Sequence, residues 1–302
     1  MDDTLARGWS APFDYHFVWR GLLMAVLLGV AGGLVGCVLL LRRMVLMADS
    51  FGHSLLPGVA LAYLVMGPGT PALLAGALVA GLLTSLMSSV VSRLTRLKEE
   101  AAFGSLFVLC FAGGVALMSR IAAPVDLLHL LFGNILGVTG ADLWLVWSTT
   151  AITVLTLCLG YRALVVDLFD PAFLAVSGYS SRWTHGVILA VVVLNLVAAL
   201  QAVGMVLALG LFILPAVIAY LWCDRVGTML ITAAGCGGLL AGLGLLVSYY
   251  ADLPSGACMV GVLGMGFIVS LVTSPRHGLW GAWQTSALRA RTMHGREPQG
   301  LP

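Results

Sequence analysis

Apolar runs of membrane-crossing length follow one another along almost the whole chain, near 17–41, 50–66, 71–92, 102–118, 142–160, 184–202, 204–223, 227–249 and 256–273. A hydrocarbon core needs about 20 apolar residues per helix, because each backbone N–H and C=O must be satisfied inside its own segment. The pattern therefore predicts an all-α polytopic bundle of about nine transmembrane helices, with 17–273 as its membrane domain. It becomes eight if Gln201 and Gly204 fail to separate their two runs. Only 9% of the 302 residues are charged, where a soluble domain carries about 25%, so a soluble enzyme is excluded. A net charge of +2 offers no footprint for nucleic acid. Six cysteines stand singly in apolar runs and read as small buried residues, not as disulfides or a metal knuckle. Residues 1–16 are too polar for a signal-peptide core, so no cleaved leader is expected.

Lysine and arginine are retained on the cytoplasmic side of a membrane protein. With nine spans and the N-terminus outside, twelve of the fifteen basic residues fall in cytoplasmic segments, and only Arg7, Arg20 and Arg120 lie opposite. That asymmetry predicts an extracytoplasmic segment 1–16 and a cytoplasmic tail 274–302. Asp126 to Val138 is apolar but too short to cross alone, which predicts a short interfacial or re-entrant helix. Glycines four apart, Gly29 with Gly33, Gly32 with Gly36 and Gly238 with Gly242, predict close helix packing without chemistry.

Asp49 is the acidic residue placed inside a span, where an ionisable group costs several kcal/mol unless it faces water or the bundle interior. His53 follows four residues later, so both side chains share one helix face, about 6 Å apart along the axis. Carboxylate plus imidazole suits a first-row divalent cation such as zinc, manganese or iron. Two ligands leave the shell incomplete, and a two-fold partner or a neighbouring helix could complete it. The competing reading is that Asp49 caps the helix and pairs with His53 across one turn. Pro57 and Gly58 imply a kink or break just beyond.

The remaining titratable groups read as structural. Asp126 and His129 form a second pair on the interfacial segment, where solvation or loop anchoring accounts for them. Glu99 and Glu100 suit the positive end of a helix dipole. His16, His185, His277 and His294 stand isolated at ends and in tails. Between Arg162 and Arg182, Asp170 is a good N-cap, Pro171 suits the first turn and Gly178 the C-terminal stop. This predicts a two-turn cytoplasmic helix whose Phe173 and Leu174 form an apolar surface that docks on the bundle or on a soluble partner. No GxxxxGK[ST], HExxH or GxSxG occurs, so the phosphate-loop, zinc-protease and serine-hydrolase signatures are missing.

These residues resemble the zinc/manganese/iron permease family of ATP-binding-cassette importers over nearly the whole chain. The family hallmark looks like Leu-Met-Gly-Asp-Ala-Leu-Ser-His-Ala-Val-Leu-Pro-Gly-Val-Ala, and Asp49, His53, Pro57 and Gly58 keep its register. Further similar stretches are 97–104, 131–137 with Asn134, 201–207 with Pro215 and Ala216, and 248–256 with Pro254. Ala48, Phe51 and Gly52 depart from the pattern around the ligand pair.

The resemblance implies an integral permease subunit of the bacterial cytoplasmic membrane, N-terminus outside and C-terminus inside, that is not itself an enzyme. It implies a second permease subunit, a copy or a paralogue, and two cytoplasmic ATPase subunits. It also implies an extracytoplasmic metal-binding protein that delivers zinc, manganese or iron as cargo, with no permanently bound cofactor. Asp49 and His53 match the metal-coordinating positions, and Asp170, Pro171, Phe173 and Leu174 lie in the helix that contacts the ATPase. The alternative from another class is a stand-alone ion-coupled carrier or intramembrane metalloenzyme that uses Asp49 and His53 without an ATPase.

Overall fold

A computed structural model of the chain describes residues 16–67, 69–118, 135–169 and 181–274. Among them the chain is helical apart from its connections. In order come α1 (His16–Leu41), α2 (Val45–Ser54), α3 (Leu56–Met66), α4 (Thr70–Leu94), α5 (Glu99–Met118), a 3₁₀ turn (Ile135–Gly137), α6 (Gly140–Phe169), α7 (Ser181–Val203), α8 (Met205–Trp222), α9 (Val226–Ala251) and α10 (Ser255–Thr273). Seven helices are long and apolar enough to cross a membrane, and α8 contributes a shorter apolar helix. The all-helical expectation holds for the described residues.

The second apolar run is broken, as Pro57 and Gly58 suggested. Pro57 lies in the first turn of α3 and has no N–H to offer the carbonyl of His53 four residues back. The chain turns at Leu55, whose carbonyl accepts from the amides of Gly58 and Val59 at 3.1 Å each. The soft boundary near residue 204 is also a break. Gly204 has φ +80°, a conformation natural only to glycine, and separates α7 from α8.

Helix α1 runs through the middle of the bundle, against α6, α8 and α9. Its glycines form two rows. A Cβ on Gly29 would overlap the Gly237 carbonyl and one on Gly33 the Ala233 carbonyl, both on α9, while Gly32 and Gly36 meet the carbonyls of Leu211 and Phe212 on α8. Because lipid provides no hydrophobic drive between helices, this backbone approach supplies the dispersion contact that holds three helices together.

Helix α6 has 30 residues, about 45 Å of rise, and so outlasts the expected span 142–160 by several turns. Of the interfacial segment expected over Asp126–Val138, the described part holds the 3₁₀ turn at Ile135–Gly137; Asp126 and His129 lie outside the described residues. Asp170, Pro171, Phe173 and Leu174 also lie outside them, between α6 and α7.

Candidate metal centre

Asp49 and His53 both sit on α2, and the helix sorts its residues cleanly by face. Ala48 is fully buried, Phe51 and Leu55 are 1% exposed, and Gly52 is buried with them. On the opposite face Asp49 is exposed and His53 half-buried. The three departures from the family pattern, Ala48, Phe51 and Gly52, therefore lie on the buried face and leave the ligand face unchanged. Phe51 packs on Phe103 of α5 with ring centroids 4.2 Å apart. Gly52 leaves room for Met205, whose terminal methyl would stand 3.0 Å from an added Cβ.

The capping reading of Asp49 does not survive. Helix α2 begins four residues earlier at Val45, with Met44 at the N-cap position and no side-chain cap bond. Nor does Asp49 pair with His53, since the ion pairs among the described residues are Arg42–Asp167 and His185–Glu99. A lipid-facing aspartate would cost about 2.5–3.5 kcal/mol at the bilayer centre, and in such a setting this face would call for water, a cation or a second chain.

His53 is positioned from α5. Its imidazole lies 6.0 Å from the ring of Phe107 and 5.4 Å from that of Phe111, the latter edge-on at 79°. Phe103, Phe107 and Phe111 recur every four residues and line one face of α5 against α2. The result is a carboxylate and an imidazole on one accessible face beside an aromatic wall. Among the described residues no group of three or more His, Cys, Asp or Glu gathers to hold a metal within this one chain. Such a pair supplies two ligands and needs donors from elsewhere to complete a shell.

Two polar ends flank the site. At one, Asp142 accepts from the Thr139 amide at 3.0 Å and its hydroxyl at 2.6 Å, and from Gln201 Nε2 at 2.9 Å. A cavity of about 490 Å³ opens there, lined by Pro71, Gly137, Asp142 and Gln201 among others. At the other, a cavity of about 410 Å³ is lined by Arg42, Arg43, Arg93, Glu99, Asp167 and His185. Sequence reasoning missed this second cluster. His185, read as isolated, is 9% exposed and touches both Arg42 and Glu99. Glu99, read as a dipole residue, accepts from His185 Nε2 at 2.7 Å. The available signal was weak: four charged or titratable residues, each within a few residues of an expected helix end.

The sequence model of the ABC 3 transport family matches residues 14–274. A curated relative, the manganese transport system membrane protein MntC of Halalkalibacterium halodurans, is 36% identical over 267 residues, 88% of this chain and 90% of its own. The chelated iron transport system membrane protein YfeD of Yersinia pestis is 33% identical over 263 residues, 87% of each chain. Among solved structures, PsaBC from Streptococcus pneumoniae in complex with Fab superimposes with a TM-score of 0.77 at 28% identity, covering 90% of this chain and 97% of the other.

Proposed function

Because the chain belongs to the ABC 3 transport family, we propose that it is the membrane permease subunit of an ATP-binding-cassette importer in which Asp49 and His53 contact a transported divalent metal ion. The observation that carries this reading is the ligand face of α2. Asp49 is exposed there without an ion-pair partner, one helical turn from a histidine braced by Phe107 and Phe111. An outward-facing pair of this kind in a membrane span suits shared coordination across two permease subunits, which together offer four donors.

The cargo is a first-row divalent metal. Manganese and iron are favoured by the relatives' names, while the carboxylate-imidazole donor set also accepts zinc. ATP hydrolysis belongs to separate cytoplasmic subunits, since this chain carries no phosphate loop, and an extracytoplasmic binding protein delivers the ion. Two helix breaks, at Leu55 and at Gly204, support a nine-span arrangement in which α2 with α3 forms one crossing and α8 another. Arg42, Arg43 and Arg93 share one end of the bundle, which supports that end as the cytoplasmic one. Helix α6 ends and α7 begins at that same end, where Asp167 and His185 line the cavity, so residues 170–177 between them are assigned the contact with the ATPase, through Phe173 and Leu174. The stand-alone carrier is disfavoured, because both curated relatives named above are membrane proteins of transport systems.

The test is ATP hydrolysis by the reconstituted permease, ATPase and binding protein, scanned over manganese, iron and zinc. Stimulation by at least one metal, lost in Asp49→Ala, is expected. Hydrolysis and uptake that ignore all three metals would overturn the reading.

A further inference from the structure

The cluster at the arginine-rich end joins three helices and one connecting link that are far apart in the chain. Arg42 lies in the link between α1 and α2, shortly before Asp49. Asp167 lies in the last turn of α6, just ahead of Asp170. His185 lies near the start of α7, just past the same intervening segment. Glu99 opens α5, the helix whose phenylalanines brace His53.

The bonding pattern within the cluster is directional. Arg42 Nη2 donates to Asp167 Oδ2, and Nη1 to Nδ1 of His185. Arginine has only donors, so Nδ1 must accept, the imidazole proton sits on Nε2, and Nε2 donates to Glu99 Oε1 at 2.7 Å. The Arg42 and Asp167 side chains are 10% and 6% exposed, and those of His185 and Glu99 are 11% and 27%. Burial pushes the Arg42 guanidinium down from its usual range, and Asp167 and Glu99 pull it back up. Arg43 and Arg93 line the same cavity and add positive charge beside the two carboxylates.

Well-packed apolar residues would hold four helix ends together at least as well, because the desolvation of buried charges offsets most of their attraction. A forked guanidinium does something apolar packing does not. It grips the two flanks of residues 170–180 at once, and a separation of Asp167 from His185 forces it to let go of one. Either release shifts the link that leads into α2, and the His185–Glu99 bond carries the same movement into α5.

We propose that Arg42, with Asp167, His185 and Glu99, is a positioning network that transmits relative movement of the end of α6 and the start of α7 to the helix carrying Asp49 and His53. The inference rests on the proposed coupling of residues 170–177 to the ATPase, and goes beyond it by naming the route inside the permease.

The experiment uses the complete complex in proteoliposomes and reads metal transported per ATP hydrolysed, alongside copurification of the ATPase. Arg42→Met with Asp167→Leu removes both charges of the Arg42–Asp167 ion pair together. Glu99→Leu removes the acceptor of His185 Nε2. In both variants the ATPase should copurify normally while metal per ATP falls by about fivefold or more, the lower range of a typical coupling free energy. A structural role alone would leave that ratio unchanged once assembly is intact. A wild-type ratio in an assembled Glu99→Leu variant, or in an assembled double variant, overturns the proposal. Phe173→Asp tests the underlying reading separately, because its failure mode is normal ATPase association and transport, whatever the network variants do.

Discussion

The imidazole of His53 meets the ring of Phe111 edge-on, with centroids 5.4 Å apart, so the proposed metal ligand on α2 takes its orientation from α5. Such a contact is worth about 0.5–1.5 kcal/mol. Phe111→Ala should therefore raise the metal concentration for half-maximal uptake by about two- to tenfold, with maximal rate and ATPase association retained. A full metal titration of uptake checks this, and an unchanged half-saturation point would show that the ring packs without positioning.

Asp49→Ala and His53→Ala should each abolish uptake at limiting metal while assembly and basal ATP hydrolysis persist. Neither residue belongs to the packed face of α2, so truncation removes ligands and leaves the core intact. Because a ligating histidine must be neutral, protons compete with the metal, and wild-type capture should weaken on acidification. Uptake at the wild-type level in either variant would remove the metal assignment.

If two copies of His53 meet across a permease dimer, they should do so in one conformation only, since a site that stays complete would not release its ion. His53→Cys, in a background with the exposed Cys158 replaced by alanine, should crosslink efficiently in only one of the nucleotide-free and ATP-trapped states. Equal crosslinking in both states would mean that release needs another cause.

Gly29→Ala should destabilise the bundle by about 1–3 kcal/mol, because its Cβ would overlap the Gly237 carbonyl on α9 and backbone cannot rotate away. Gly235→Ala, on α9 with open space around it, should be neutral or stabilise by up to about 1 kcal/mol. Thermal unfolding in detergent compares the two, and equal shifts would contradict the packing account.

If Phe173 lies in the proposed ATPase contact, Phe173→Asp should weaken ATPase association without unfolding the membrane domain, since it puts there a charge that must be desolvated. Copurification measured beside uptake decides it.

The all-helical character, seven apolar helices of membrane-crossing length, the break at Pro57 and the placing of Asp49 and His53 on one face were legible in the chain, because each depends on hydropathy or on neighbours within one helical turn. Glycine spacing likewise announced close packing, although not that Gly29 and Gly33 address α9 while Gly32 and Gly36 address α8. Tertiary structure alone decided three things. It removed the capping role of Asp49 by starting α2 at Val45, five residues ahead of the apolar run 50–66, with no side-chain cap to mark the start. It settled the soft boundary at Gly204, where a positive φ separates α7 from α8. It also turned the isolated His185, with Glu99, Arg42 and Asp167, into one buried network. Those four residues come from helix ends up to 143 positions apart, and no local pattern encodes a contact whose partners meet only when the bundle closes.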